Sequence, residues 1–349
     1  MGETRAGRLT GIEVSRGIAA TAVVFYHAAR HLDKNYGLRW LSDPFQFGHA
    51  GVDLFFVISG FIILHVHYPD IGNPARIGHY LGRRLTRVFP IYWVALALTV
   101  AMGLGGGMPS FAQLAWSVSL LPSNEELILP IAWTLRHEIV FYALFCILIL
   151  NRKLGTAIFG LWLAVIVAAA LSQVHLDFLP ASLHAAFNLE FFFGMAVAYR
   201  LRRGVVPAPR LILVVGLVLF ATAAVAEDLG LLDGFANASR VIYGLPAAMI
   251  VLGLAAAGRE TSMNVPPFLR LLGSASYSIY LFQFIFIGSL WKLWLLTGLD
   301  RMTPHSASFP LLVVGGVGGG ILASRLIEYP LIRVVRGNRH RIQAPAAAR

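Results

Sequence analysis

Apolar stretches long enough to cross a bilayer recur about ten times in this chain. They lie near residues 11–32, 49–68, 87–106, 127–150, 154–172, 184–201, 210–226, 238–257, 271–296 and 309–332. A hydrocarbon core about 30 Å thick is spanned by about 20 helical residues, and a helix satisfies its own backbone donors and acceptors. The chain is therefore read as an all-α polytopic membrane protein. Its residues are 57% hydrophobic and 13% charged, roughly half the charge of a soluble domain. The mean hydropathy of +0.71 says the same. No Pro/Ser-rich linker or charge block divides the sequence, so one membrane-embedded domain over 1–349 is expected. The first segment follows Arg5 and Arg8 as a signal peptide would, but it holds Arg16 and lacks a small-residue cleavage site, so it reads as a retained helix. The single cysteine, Cys146, cannot form an intrachain disulfide.

An even number of spans puts both termini on one side. Most cations outside the spans fall on that side, among them Arg5, Arg8, Arg83, Arg84, Arg87, Arg152, Lys153, Arg200, Arg202, Arg203, Arg336, Arg339, Arg341 and Arg349. Arg30, Lys34, Arg39, Arg240, Lys292 and Arg301 fall on the other. Positive residues stay cytoplasmic, so both termini are expected in the cytoplasm. That asymmetry accounts for the net charge of +11, and no nucleic-acid partner is needed to explain it. The glycine runs at 102–108 and 315–320 lack the Lys-Ser/Thr of a phosphate-cradling loop. They are expected to let helices approach closely. Phe111, Trp116, Trp291 and Trp294 read as interfacial anchors, and no metal is expected.

Ionisable residues at membrane depth are site candidates, because each is costly unless paired or functional. Arg16 and His27 stand eleven positions apart in the first span, about three helical turns, so they share one face about 16 Å apart. His27 lies near the outer end. Asp53 lies one turn into the second span and can meet it, and a carboxylate on an imidazole suits a general base. A purely structural pair is the alternative. In the fourth span Arg136, His137 and Glu138 are consecutive and diverge by about 100° each; Glu138 is expected to face the polar core. Its alternative is an ion pair with Arg136 or Arg16. Glu328 and Arg325, three apart in the last span, are expected beside Arg16, and Pro330 should kink or end that helix. Arg83, Arg84 and Arg87 form a cytoplasmic cluster suited to phosphate, or else to topology and anionic lipid.

Taken in order, Arg16 with His27, GVDLFFVISGFI (51–62), RRLTRVFPIYW (83–93), WTLRHEIVFY (133–142), SYSIYLFQF (276–284) and IEYP (327–330) resemble the acyltransferase family 3 membrane proteins, most closely the exopolysaccharide O-acetyltransferase branch. The resemblance covers essentially the whole chain. It implies transfer of an acyl group, acetyl in the first instance, from cytoplasmic acyl-CoA to a hydroxyl of a cell-surface or exported carbohydrate, by a multi-pass enzyme of the bacterial inner membrane. It implies that Arg16 and His27 are essential, and that Arg83, Arg84 and Arg87 lie near the CoA entrance. Tyr280 and Gln283 stand where members often carry a Tyr-Leu-Trp-His run, and His137 replaces the first of two adjacent acids. Catalysis is thus expected from His27 oriented by Asp53 or Glu138, with Arg16, Arg83, Arg84 and Arg87 on the donor and Glu328, Tyr280, Gln283 and Arg136 in the polar core. His27 serves equally as base or as acyl-carrying nucleophile. A secreted small molecule such as a macrolide is the alternative acceptor. A proton-coupled transporter is the alternative of another class, and it predicts inverted repeats that the sequence lacks.

Overall fold

The structure is a computed structural model that describes residues 10–104, 107–172, 179–260 and 265–334, and these form helices joined by short turns, with no strand among them. Arg5, Arg8, Arg336, Arg339, Arg341 and Arg349, and part of the first glycine run, lie outside the described residues. The longer helices are α1 (Thr10–Tyr36), α2 (Gly51–His67), α3 (Ile77–Ala101), α4 (Phe111–Ser119), α5 (Trp133–Leu150) and α6 (Arg152–Ser172). They continue with α7 (Leu189–Arg202), α8 (Pro209–Asp228), α9 (Ser239–Glu260), α10 (Pro267–Leu296) and α11 (Phe309–Ala323).

Among the described residues, eight segments are long and apolar enough to cross a membrane: Arg39–Asp70, Pro74–Ala101, Pro130–Leu150, Arg152–Leu171, Pro209–Asp228, Ser239–Arg259, Pro267–Leu296 and His305–Val334. The other two expected spans are α1 and α7. Helix α1 has the length, 27 residues, but is too polar for a lipid-facing span. Helix α7 has 14 residues, about 21 Å, which is short of the hydrocarbon thickness. Both are interior helices. Helix α1 packs against α2, α9, α10 and α11, and α7 against α2 and α9, so neither must present an apolar surface to lipid all round. The protein is a multi-pass membrane protein whose polar helix is its centre. Burial grades outward from there: 78% of the apolar window of Arg39–Asp70 is buried, against 22% for Arg152–Leu171 and Pro209–Asp228.

Glycine sets how closely the central helices approach. A Cβ on Gly17 of α1 would lie 2.5 Å from the Gly273 nitrogen of α10, a distance that backbone cannot yield. The second glycine run works as the sequence suggested, since a Cβ on Gly316 would meet Val24 at 2.7 Å and one on Gly320 the Ile279 Cα at 2.4 Å. Helices α1 and α10 run side by side and parallel, with Gly17 against Gly273 at one level and the His27 ring 4.8 Å from the Phe284 ring at another.

Two expectations about helix ends need correction. The last helix neither ends nor breaks at Pro330; the five residues Ser324–Glu328 form a π-turn and helix resumes to 334. Pro330 has no N–H to give the preceding turn, and a wider turn absorbs the lost bond. Trp291 and Trp294 are buried rather than interfacial, Trp291 against the rings of His31 and Tyr36; Phe111, 88% exposed, fits the anchor reading.

Candidate active site

Arg16 is half-buried and projects from α1 into the electrostatic field of Arg87 on α3, Glu138 on α5 and Glu328 beyond α11. Four parts of the bundle thus contribute charged groups to one polar cluster. The carboxylate of Glu138 accepts the Ser59 hydroxyl at 2.6 Å and the Tyr142 hydroxyl at 2.9 Å. Glu328 accepts Ser278 at 2.6 Å and Ser324 at 3.1 Å. Tyr277 lies near Glu138, Glu328 and Arg87 and donates to Val88 O at 3.1 Å. Arg16, Glu138, Tyr277 and Glu328 are each only partly buried, so none is sealed in packed core.

The arginine cluster divides by helical register. Arg84 is buried, stands 6.0 Å from the Tyr142 ring, and its Nε has no partner among the described residues. Arg87, one turn on, is exposed and joins the field around Arg16 and Tyr142. Arg83 is exposed on another face, near His67. Arg325, expected with Glu328, is exposed as well, because the π-turn between them widens the turn and destroys the i, i+3 alignment.

His27 is half-buried in an aromatic slot, its ring 4.9 Å from Tyr26 and 4.8 Å from Phe284. Neither carboxylate expected to orient it does so. Asp53 is fully buried and bonds Arg240 at 2.6 Å. Arg240, counted among the outer cations, is 1% exposed, donates also to the Gly234 carbonyl, and lies 4.3 Å over the Phe187 ring. Glu190 of α7, 0% exposed, faces Asp53. Neither Glu190 oxygen nor Asp53 Oδ2 has a hydrogen-bond partner among the described residues, so Arg240 is the cation that this buried acidic site holds. All three residues are sealed from solvent. They stitch α2, α7 and α9.

The remaining polar-core candidates brace neighbouring loops and helices. Arg136 donates to the carbonyls of Ser123 at 2.9 Å and Glu125 at 3.0 Å, so it holds the α4–α5 loop and does not join Glu138. His137 donates from Nδ1 to Asn188 at 2.9 Å. The Tyr280 hydroxyl meets Thr134 at 3.0 Å and the Ile131 carbonyl at 3.2 Å. Gln283, fully buried, donates to the Tyr280 carbonyl at 2.9 Å. The residues that escaped the sequence reading are His49, Glu190 and Glu227. His49 Nε2 lies 2.7 Å from Glu227 Oε1, and Tyr243 donates to Glu227 Oε2 at 2.5 Å. The depth rule that flagged Asp53 also flags Glu190 and Glu227, one inside an apolar span and one at the end of another.

The acyltransferase domain family matches residues 9–328. The chain belongs to this family. The protein is accordingly a membrane acyltransferase, and the transporter alternative falls. The acyltransferase is 32% identical over 329 residues to the exopolysaccharide production protein ExoZ of Rhizobium meliloti (strain 1021), covering 87% of this chain and 95% of ExoZ. It is also 34% identical over 90 residues to Protein 2 in the picA locus of Rhizobium radiobacter, covering 25% of this chain and 41% of that protein. No solved structure matches it.

Proposed function

We propose that the enzyme moves an acetyl group from acetyl-CoA, bound at the cytoplasmic face of the bacterial inner membrane, to a hydroxyl of an exopolysaccharide reached from the opposite half. The observation that carries this reading is the pairing on one helix face of an arginine inside a polar cluster with an accessible imidazole about 16 Å further along. Coenzyme A has the same layout, an anionic nucleotide end joined to its thioester by a slim arm of similar length. Arg84 and Arg87 lie at the Arg16 end, and Arg84 keeps a buried Nε–H that nothing among the described residues accepts. A guanidinium so placed suits phosphate. The arm then follows α1 past Glu138 and Tyr142, and the thioester meets His27. The exopolysaccharide acceptor is supported by the likeness to ExoZ along nearly its whole length.

The test is sidedness. In sealed right-side-out vesicles, acetyl-CoA enclosed within should support acetylation of alkali-deacetylated exopolysaccharide supplied outside, whereas acetyl-CoA supplied only outside should not. Equal activity from external donor would overturn the geometry even with His27 essential.

A further inference from the structure

The reaction needs a group to take the acceptor's proton, and both carboxylates expected beside His27 are engaged elsewhere. We propose that His49, held by Glu227, is the general base for the acceptor hydroxyl, while His27 is the nucleophile that carries the acyl group. This deepens the transfer reaction proposed above and rests on it.

Two glycines seat His49. The turn Asp43–Ala50 lies directly on α1, since a Cβ on Gly48 would stand 2.5 Å from the Ala22 carbonyl and one on Gly51 2.6 Å from that of Ala19. At the turn's other side Phe47 N–H reaches Asp228 Oδ1 at 3.4 Å, tying it to the end of α8. His49 therefore stands at a fixed level against α1. The Tyr26 ring lies 4.9 Å from the His27 ring and 5.7 Å from the His49 ring, so both imidazoles gather around one aromatic side chain.

Their partners differ in the way two roles require. The Glu227 carboxylate on His49 Nε2, itself fixed by the Tyr243 hydroxyl, determines the tautomer, leaves Nδ1 as the acceptor of a proton, and stabilises an imidazolium as it forms. Phe235, stacked at 4.4 Å, locks the ring plane. His27 lies against the rings of Tyr26 and Phe284 and has no hydrogen bond or ion pair to a carboxylate among the described residues, which leaves its ring nitrogens uncommitted to an orienting acid and suits the attacking role. In the first step that nitrogen adds to the thioester carbonyl and the C–S bond breaks. The thiolate leaves with the proton given up by the His27 ring, giving free CoA and acyl-His27. In the second step the acceptor O–H gives its proton to His49 as its oxygen attacks the acyl carbon. The C–N bond breaks, and the electron pair returns to His27, which takes up the proton that His49 releases.

The division of labour is tested by two assays on the full-length enzyme in nanodiscs. One is acceptor-independent exchange of labelled CoA into acetyl-CoA; the other is transfer of labelled acetyl to alkali-deacetylated exopolysaccharide. His49→Gln, whose amide still reaches Glu227, should keep exchange within about threefold and lose transfer by about 100-fold or more, the usual share of general base catalysis. His27→Gln should lose both. Should His49→Gln not fold, as judged by size exclusion and thermal melting, Glu227→Gln gives the same readout, with transfer falling and exchange holding. Transfer within about threefold of wild type in these variants, or exchange lost as much as transfer, overturns the role of His49. A wild type that transfers but never exchanges overturns the nucleophilic role of His27. A wild type that exchanges yet transfers to no exopolysaccharide counts instead against the proposed acceptor, leaving the donor half of the scheme standing.

Discussion

The sealed trio of Asp53, Arg240 and Glu190 makes a sharp demand on stability. Arg240→Met removes the one cation from a site where all three residues are at most 1% exposed. It strands Asp53, whose Oδ1 loses its 2.6 Å partner, and it frees the Gly234 carbonyl. Removing one member of a buried ion pair costs about 3–5 kcal/mol, because the remaining charge keeps its desolvation penalty with nothing to offset it. The double variant Asp53→Asn/Arg240→Met has no stranded charge and should regain most of that loss, leaving a coupling of at least about 2 kcal/mol between the two positions. Glu190→Gln should cost under about 1 kcal/mol, since it keeps the buried shape and its amide offers the unpartnered Asp53 Oδ2 a donor. Reversible unfolding in mixed SDS micelles, followed by the fluorescence of the seven tryptophans, measures each value. Additive effects of Asp53→Asn and Arg240→Met, or an Arg240→Met cost under about 1 kcal/mol, would refute the sealed-pair account and return Asp53 to candidacy as a partner of His27.

His27→Ala should insert and fold normally yet transfer less than about a tenth of the wild-type amount, measured with labelled acetyl-CoA. Arg84→Gln and Arg87→Gln should each raise the donor KM about tenfold with acceptor KM unchanged, the size of one charge-assisted hydrogen bond, while Arg83→Gln, on the far face, should change it under about threefold. Gly17→Val pushes a side chain onto the Gly273 backbone at 2.5 Å; separating α1 from α10 should cost about 1–3 kcal/mol and displace Arg16, so thermal stability and activity should fall together.

What the sequence made legible follows the range of the forces involved. Length and apolarity are local, and they located the helices, including the glycine-rich face of α11 that meets Val24 and Ile279. Helical register is local as well, and it put Arg16 and His27 on one face and separated Arg136 from Glu138. Choice of partner is not local. Asp53 can reach His27 on register alone, but Arg240 arrives from 187 residues away with a full opposite charge, and in a medium without water a cation is a stronger claimant for a carboxylate than a neutral imidazole. The same competition explains the missed pair. His49 sits in a 3-10 turn that no period of 3.6 residues flags, and its carboxylate comes from the end of α8, 178 residues on. In the proposed scheme, with its obvious acid holding three helices together, the chain draws its base from the edge of the bundle, on a turn that two glycines press onto α1.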